Sequence, residues 1–251
     1  MIYAMSDIHG QYDRFQNLLH QLNLQKEDKL YILGDVVDRG PHPMKILQYM
    51  MKHQNIIPII GNHEVMALPN LKLLVPEISK DFLQGLSPEE YQNFAQWTLT
   101  GGTDTIQDFR KLPTEERRQI MEYIESFRPY GKETINSQEY WLVHAGLDEF
   151  SETKELEEYT VDELVWTRID YEIPYFEDII VVSGHTPTQK ILGNSKPGFI
   201  FRANNHIAID CGAATGGDLS GHRGGVLCGG LAEKKNLPMI VVKNICKPVV
   251  E

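Results

Sequence analysis

The sequence is poor in cysteine and holds no pair of cysteines of the C-x-x-C type. Three cysteines occur among 251 residues, at Cys211, Cys228 and Cys246. An odd number of widely spaced cysteines is not typical of a disulfide framework or of a zinc ribbon. Reduced thiols in a cytoplasmic protein are the simpler interpretation.

Long apolar runs are also missing from the chain. No stretch approaches the ~20 apolar residues that a membrane-spanning helix needs. The first seven residues, Met1 to Asp7, lack the basic segment and the apolar run of a secretory signal. We therefore expect a cytoplasmic protein that makes no contact with a membrane.

Positive charge is scarce. The chain has 24 Lys and Arg against 35 Asp and Glu, which gives a formal net charge of -11. This surplus argues against nucleic-acid binding, because the phosphate backbone of a nucleic acid is recognised by basic residues. It does not exclude a small anionic substrate, since bound cations can reverse the sign of the potential within one cleft.

The remaining composition is that of a globular protein. Hydrophobic residues make up 41% of the chain and charged residues 24%, so a sizeable core is expected. The length of 251 residues lies at the upper edge of the single-domain range, and we interpret residues 1–251 as one domain.

Strand and helix patterns alternate in the first quarter of the chain. Apolar runs at residues 2–5, 30–33 and 56–60 predict three strands, and helical spacing of apolar residues separates them. This order predicts a βαβαβ unit with a parallel sheet. The first run reads as a central strand, whereas Pro58 indicates an edge or irregular position for the third.

Residues 65–137 have a different character and predict a helical insertion within the domain. Ser87 and Thr114 are candidate N-caps, and only Ser87, with Glu90 three residues later, fits a capping box. After the insertion, apolar runs at 140–143, 179–182, 206–209 and 239–242 predict a second sheet, and residues 212–230 are rich in glycine. The predicted fold class is α/β, a two-sheet sandwich flanked by helices.

Potential metal ligands follow five of the predicted strands. Asp7 and His9 follow the first strand, Asp35 the second and Asn62 the third, and two later strands end at His144 and His185. This set of oxygen and nitrogen donors without thiolate suits Mn, Fe, Zn or Ni. A single turn of this kind is weak evidence for a metal site, but the occurrence of all of them at strand ends is strong evidence. We interpret the remaining histidines as ordinary, namely His20, His42, His53, His206 and His222.

The motifs occur in an order that resembles the calcineurin-like metallophosphoesterases, and more narrowly the phosphoprotein phosphatases of bacteria and bacteriophage. They are Asp7-x-His9, Gly34-Asp35-x-x-Asp38-Arg39-Gly40, Gly61-Asn62-His63-Glu64, His144-Ala145-Gly146 and Gly184-His185. The resemblance implies an α-β-β-α sandwich of two sheets between helices. It also implies a phosphoric ester hydrolase with two divalent metal ions, expected to be Mn²⁺.

The resemblance also implies a role for each site residue. Asp7 and His9 would bind one ion, Asn62, His144 and His185 the other, and Asp35 both. His63 would protonate the leaving group, with Asp38 orienting it. Arg39 and Arg168, the latter in Trp166-Thr167-Arg168, would hold the phosphate together with Asn62. Hydroxide bound to the metals would attack phosphorus without a covalent enzyme intermediate.

Two substrate classes compete, phosphoproteins and dinucleoside polyphosphates. Symmetrical diadenosine tetraphosphate hydrolases tend to lack an acidic residue at the Asp38 position and to have Asp at the Glu64 position. This chain has Asp38 and Glu64, which favours a protein serine/threonine phosphatase. The stretch Gly101-Gly102-Thr103-Asp104-Thr105 resembles a segment of the bacterial enzymes, although a plain turn between helices would explain the two glycines equally well.

Other features limit what the resemblance implies. Ala145 stands where eukaryotic relatives have glycine, and Asp210-Cys211-Gly212-Ala213-Ala214 replaces their aromatic loop. We therefore expect no regulatory subunit. Tyrosine phosphatase activity stays open, because a shallow two-metal site accepts either ester. A third alternative, a non-catalytic interaction module, is disfavoured because every expected ligand is present.

Overall fold

A computed structural model describes residues 1–76 and 82–214 of the chain. Its first sheet has three parallel strands in the order β1-β2-β3, as the sequence predicts. The strands are β1 (Ile2–Met5), β2 (Lys29–Leu33) and β3 (Ile56–Ile59), and they are connected by α1 (Tyr12–Leu22) and α2 (Pro43–Met51). Because all three run in one direction, their carboxyl ends lie at one edge of the sheet.

The position of β1 differs from the prediction. Among the described strands, β2 is central, while β1 and β3 each pair with one neighbour. The residues of β1 are nevertheless mostly buried, because the second sheet and helices cover both faces of the first. An edge strand covered on both faces has the same apolar pattern as a central strand. β3, for which Pro58 predicted an edge or irregular position, is the last named strand of the sheet, and Arg128 adds a single parallel bridge to its outer side at Ile59.

The second sheet has five strands in the order β4-β5-β6-β8-β7 and is mixed. Its strands are β4 (Gly131–Ile135), β5 (Gln138–Leu142), β6 (Ile179–Ser183), β7 (Phe201–Ala203) and β8 (His206–Ala208). The sequence analysis missed β4 and β7, which pair with β5 and β8 in antiparallel hairpins. Each hairpin turns on two residues of positive φ, Asn136-Ser137 and Asn204-Asn205. Such two-residue loops are a hairpin signal that could have revealed both strands.

The two sheets pack face to face through apolar side chains. Ala4, Leu33 and Ile59 of the first sheet contact Leu142 and Val182 of the second within one buried cluster. A larger cluster joins the helices to the outer side of the first sheet and contains Phe15, Leu47, Leu71, Phe109 and Ile124. The predicted fold class, a two-sheet sandwich flanked by helices, is confirmed.

Helices fill most of the segment between the two sheets. They are α3 (Asn62–Leu74), α4 (Pro88–Trp97), α5 (Thr103–Phe109) and α6 (Thr114–Glu125), with a 3₁₀ turn at Phe82–Gly85 and a π-type turn at Thr98–Gly102. Two further 3₁₀ turns, Leu156–Glu158 and Thr188–Lys190, and the short helix α7 (Val161–Val165) lie within the second half of the chain. The segment predicted as a helical insertion, 65–137, thus starts inside α3 and also contains β4.

One of the two predicted helix caps is confirmed. Ser87 and Glu90 form a reciprocal capping box at the start of α4. Thr114 is not an N-cap, because it is already the first residue of α6 and Pro113 occupies the capping position. The fixed φ of proline suits the residues at a helix start, so Pro113 shifts the boundary by one residue.

Several predictions fall outside the described residues. They are the strand at 239–242, the glycine-rich run beyond residue 214, His222, and the cysteines Cys228 and Cys246. In the described part of the chain, no helix has the length and apolar character needed to cross a membrane.

Candidate metal centre and active site

Loops at the carboxyl ends of β1 and β2 bring the first predicted ligands together. The backbone N–H of Asp7 donates to the carbonyl of Gly34 at 3.1 Å, and that of His9 donates to the carbonyl of Asp35 at 2.8 Å. The third strand is followed at once by α3, which begins at Asn62. The backbone N–H of His63 donates to Oδ1 of Asp35 at 3.1 Å, so the third loop lies beside the other two, as the parallel sheet predicts.

Two histidines from the second sheet complete the cluster. His144 follows β5 and His185 follows β6, and the carbonyl of His144 accepts the backbone N–H of Gly184 at 2.8 Å. The backbone N–H of His185 donates to both carboxylate oxygens of Asp7, at 3.2 and 3.0 Å. The site therefore lies where the ends of both sheets meet.

The backbone at this cluster is unusual. Twelve described residues other than glycine have a positive φ, and six of them are predicted site residues: Asp7, His9, Asp35, Asp38, Arg39 and His185. Aspartate and histidine tolerate the left-handed region better than most residues, but each such residue carries a strain cost. The folded structure concentrates this strain at the loops that carry the polar side chains.

Asp35 lies at the middle of the cluster. Its Oδ2 is 3.5 Å from Nε2 of His9 and 3.9 Å from Nε2 of His63, and its Oδ1 is 3.4 Å from Nε2 of His144. Two groups of side chains could each hold a metal ion, His9-Asp35-His63 and Asp35-His144-His185. Asp35 is the one member that the two groups share.

Asn62 and Asp7 are the two predicted ligands that belong to neither group. Oδ1 of Asn62 lies 2.9 Å from Nε2 of His144 and 3.0 Å from Nδ1 of His185. Asp7 belongs to neither three-residue group, and His63, predicted as the acid, occupies a place in the first group instead. All six predicted ligands are nevertheless connected through Asp35, Asn62 and the backbone of His185.

Two of the imidazoles are held in a tautomer that leaves Nε2 free to bind a metal. Nδ1 of His9 is 2.9 Å from the carbonyl of Val37, and Nδ1 of His144 is 2.7 Å from the carbonyl of Leu33. A carbonyl oxygen only accepts, so Nδ1 carries the proton and the lone pair of Nε2 faces the cluster. This arrangement is common among histidines that bind metals.

The electrostatics of the cluster also fit a bound cation. Burial raises the pKa of Asp7 well above its usual value, and the nearby Asp210 and Asp35 raise it further. Burial also raises the pKa of Asp35, and Glu64 adds to this effect. Burial lowers the pKa of His9, and it lowers the pKa of His185 to about 3 with help from His144 and Arg168.

These pKa shifts of the carboxylates and imidazoles have one physical explanation. Neutral imidazole is the form that binds a metal, and a nearby divalent cation would stabilise the buried carboxylates in their charged form. The oxygen and nitrogen donors that converge here, without thiolate, suit a hard or borderline divalent ion.

His63 and Asp38 form a buried pair next to the cluster. Nδ1 of His63 donates to Oδ2 of Asp38 at 2.7 Å, so its Nε2 faces Asp35. Burial, Arg39 and His144 lower the pKa of His63 to about 3, while burial raises the pKa of Asp38 to about 6. With Arg39 donating to its Nε2, the imidazole of His63 is therefore held in its neutral form beside the Asp38 carboxylate.

The two predicted phosphate-binding arginines lie at different places. The guanidinium of Arg39 donates to Nε2 of His9 at 2.9 Å and to Nε2 of His63 at 2.8 Å. Those nitrogens are the atoms that the predicted metal and leaving-group roles use, so both roles require Arg39 to turn away from them. Arg168 is exposed beside the second group and donates to Oγ1 of Thr186 at 3.1 Å.

The histidines interpreted as ordinary and described by the structure lie outside the cluster. His53 stacks on Tyr49 with ring centroids 4.0 Å apart, and Nε2 of His206 lies 3.0 Å from the carbonyl of Ile173. Asp210 is a site residue that the sequence analysis missed, since it is buried and its charge raises the pKa of Asp7. It directly follows a predicted strand, so the rule that found the other ligands could have found it.

Glu64, which the sequence analysis used as an indicator of substrate class, has a structural role. Its buried carboxylate accepts the backbone N–H groups of Asp35, Val36, Val37 and Gly61 at 2.8 to 3.1 Å. The side chain therefore holds the loop after β2 and does not face the metal groups.

Replacing Glu64 with glutamine should destabilise the protein by about 3 kcal/mol, because one neutral oxygen cannot accept four buried N–H groups. Urea unfolding monitored by circular dichroism measures this loss. Glu90→Gln is the matched control, since Glu90 is only partly buried and accepts a single backbone N–H, that of Ser87, so the stability of this variant should hardly change. Equal losses in the two variants would contradict the role assigned to Glu64.

Comparison with known proteins places the chain in a family. The sequence profile of the calcineurin-like phosphoesterases matches residues 1–211. The chain belongs to this family of metal-dependent phosphoric ester hydrolases.

Two kinds of curated relatives are similar to parts of the chain. A symmetrical bis(5'-nucleosyl)-tetraphosphatase of Nitrosococcus oceani is 34% identical over 99 residues, which is 38% of this chain and 36% of the relative. Serine/threonine-protein phosphatase 2 of Escherichia coli is 41% identical over 68 residues, which is 27% of this chain and 31% of the relative. The chain thus matches about a third of the length of each relative.

Solved structures of three kinds share the fold. A proposed diadenosine tetraphosphatase has a TM-score of 0.55 at 16% identity, covering 91% of this chain and 87% of its own. A yeast protein serine/threonine phosphatase has a TM-score of 0.50 at 14% identity, over 83% of this chain and 66% of its own. A cold-active protein-tyrosine phosphatase from Shewanella has a TM-score of 0.50 at 18% identity, over 91% of this chain and 74% of its own.

Proposed function

We propose that this protein is a protein serine/threonine phosphatase that works with two divalent metal ions. Its substrate would be a phosphomonoester of serine or threonine in another protein, and its products that hydroxyl and inorganic phosphate. The family supports ester hydrolysis, and the arrangement of His63 and Asp38 favours this class of ester.

The ions would be held by the six predicted ligands. Asp7, His9 and Asp35 would bind one, and Asp35, Asn62, His144 and His185 the other; the shared position of Asp35 supports this division. When bound, two such ions supply positive charge for the phosphate and lower the pKa of a water molecule between them. We propose Mn²⁺, and the same donors also suit Fe, Zn or Ni.

The remaining site residues would bind phosphate and move a proton. Arg39 would leave Nε2 of His9 and His63 and donate to phosphate oxygens, since a guanidinium matches the geometry of an oxyanion. Arg168 and the side-chain amide of Asn62 would contact the phosphate from the second group. Once Arg39 has left, His63 would take up a proton on Nε2, the resulting imidazolium being stabilised by the Asp38 carboxylate at Nδ1–H, and would give that proton to the leaving oxygen.

The hydrogen bond between His63 and Asp38 is the observation that carries the choice of substrate. A serine alkoxide is a strongly basic leaving group, so a proton donor accelerates its departure greatly. A nucleotide that leaves through a phosphate oxygen is weakly basic, so a proton donor accelerates its departure only slightly. A buried carboxylate 2.7 Å from Nδ1 of His63 is an orienting group for such a donor, so it favours the alkoxide ester.

A second candidate is the hydrolysis of dinucleoside polyphosphates. The relatives that support it are the symmetrical bis(5'-nucleosyl)-tetraphosphatases, which match the chain as well as the protein phosphatase does. In that case the metal centre would serve unchanged, and Asp38 and His63 would contribute little to the rate.

Turnover of three substrates by the Mn²⁺-loaded protein separates these functions. We expect a phosphoserine peptide to be hydrolysed with a higher kcat/KM than diadenosine tetraphosphate, with a phosphotyrosine peptide as the test of ester type. A strong preference for the dinucleotide would overturn the proposal in favour of the second candidate. A metal-loaded protein without activity on p-nitrophenyl phosphate would instead indicate a non-catalytic module.

A further inference from the structure

The carboxylate of Asp38 is surrounded by donors from the helical insertion. Indole Nε1–H of Trp97 donates to Oδ2 at 2.9 Å, and the hydroxyl of Thr105 donates to Oδ1 at 2.7 Å. The hydroxyl of Thr105 also accepts the backbone N–H of Asp38 at 2.8 Å. With His63 as the third donor, both oxygens of this fully buried carboxylate are occupied.

The same insertion holds the backbone that follows Asp38. The carbonyl of Gly101 accepts the N–H of Arg39 at 3.0 Å, and the carboxylate of Asp108 accepts the N–H of Met44 at 3.1 Å at the start of α2. Asp38 and Arg39 both have left-handed backbones, with φ of 70° and 64°. Such strain persists only where the surroundings enforce it, and here α5 and the π-type turn do so.

The two glycines of the insertion are explained by the same contacts. A Cβ atom on Gly101 would lie 2.7 Å from Cγ of Arg39, and one on Gly102 would lie 2.6 Å from the indole ring of Trp97. Gly101 also has a φ of 120°, which side chains rarely permit. The Gly101-Gly102 pair therefore allows the insertion to approach the Asp38-Arg39 segment closely, which a plain turn would not require.

We propose that Trp97 and Thr105 are positioning residues for the leaving-group proton, acting on His63 through the Asp38 carboxylate. This inference rests on the proposed role of His63 as the acid. Two donors fix the plane of the carboxylate, and the carboxylate fixes the ring of His63 with Nε2 toward the substrate. Neither Trp97 nor Thr105 touches the substrate. The insertion would thus complete the active site and not only cover it.

The first test is Trp97→Phe, which removes the indole N–H and keeps an aromatic ring. With the Mn²⁺-loaded full chain, we expect kcat for phenyl phosphate to fall about tenfold, the usual effect of losing a hydrogen bond to a charged group. For p-nitrophenyl phosphate, whose leaving group needs little protonation, kcat should fall less than about threefold. KM should change little for either substrate, because no contact with the substrate is lost.

Trp141→Phe is the matched control. Trp141 is also buried, and its Nε1–H donates to Glu139 at 2.6 Å in the second sheet, on a strand that carries neither donor to Asp38. This variant should hydrolyse both phosphates at the unmodified rates. Equal losses in Trp97→Phe and Trp141→Phe, or a Trp97→Phe loss independent of the leaving group, would overturn the proposal.

A double-mutant cycle separates positioning from a general effect on stability. In an Asp38→Asn background, Trp97→Phe should cause little additional loss, because both changes act on one proton donor. Thr105→Val should lose activity in the same leaving-group pattern, and Thr105→Ser should restore it. If Trp97→Phe fails to fold, the comparison of Thr105→Val with Thr105→Ser tests the proposal alone. Fully additive losses from Trp97→Phe and Asp38→Asn, or no recovery of activity in Thr105→Ser, would refute the proposal.

The outcomes also distinguish this inference from the proposed function. If His63→Ala shows the expected leaving-group dependence while Trp97→Phe and Thr105→Val do not, the positioning role fails and the acid role stands. If His63→Ala shows no such dependence, the acid role itself fails.

Discussion

Replacing Asp35 with asparagine should abolish nearly all phosphate-ester hydrolysis, with a loss of about a thousandfold or more. Asp35 is the one side chain shared by both metal-binding groups. Asparagine has the same shape but no negative charge, and it presents an amide nitrogen to one of the two groups. Loss of the several kcal/mol that metal ions contribute to a phosphoryl transition state corresponds to this factor.

The fold should survive this change. Asp35 has a φ of 54°, and asparagine is among the residues that tolerate the left-handed region best. Turnover of p-nitrophenyl phosphate measures the loss, and urea unfolding checks the fold. Asp28→Asn is the control, because Asp28 is also buried but binds the N-terminus and the backbone of Gln25, and activity should be retained. Substantial activity in Asp35→Asn would contradict the shared-ligand role.

The second large effect is expected for His63→Ala. Loss of a positioned general acid lowers rates by about a hundred- to ten-thousandfold where the leaving group needs a proton. The phosphoserine peptide should show this loss, and p-nitrophenyl phosphate a much smaller one. Metal binding should be retained, because the six proposed ligands are unchanged.

His53→Ala is the control for this experiment. His53 is partly buried and stacks on Tyr49, so its loss removes an imidazole without touching the cluster. An equal loss on activated and unactivated esters in His63→Ala would contradict the acid role. Such a result, together with lost metal, would instead make His63 a ligand of the group His9-Asp35-His63.

The grouping of the proposed metal ligands at one end of the sheets could be predicted from sequence because a general rule governs it. Residues that follow parallel strands meet at one edge of a sheet, and this was sufficient to group Asp7, Asp35 and Asn62. The second sheet adds His144 and His185 through its own parallel strands. Asp210 also follows a strand, but it is neither a histidine nor part of one of the motifs, so the sequence carries a weaker signal for it.

Contacts between distant segments could not be predicted in this way. Trp97 and Thr105 lie 59 and 67 residues from Asp38 along the chain, and no periodicity connects them. The four bonds of Glu64 depend on how a loop turns, as do the contacts of Arg39 with His9 and His63. Left-handed backbone at six site residues is likewise a property of the packed loops.

The count of metal ions per chain tests the central claim most directly. Equilibrium dialysis against Mn²⁺, followed by elemental analysis, should find two ions bound to the unmodified protein at full activity. Asp35→Asn should bind markedly less, since both groups lose the carboxylate they share. One ion or none in a fully active protein, or two ions retained in Asp35→Asn, would contradict a two-metal centre built around Asp35.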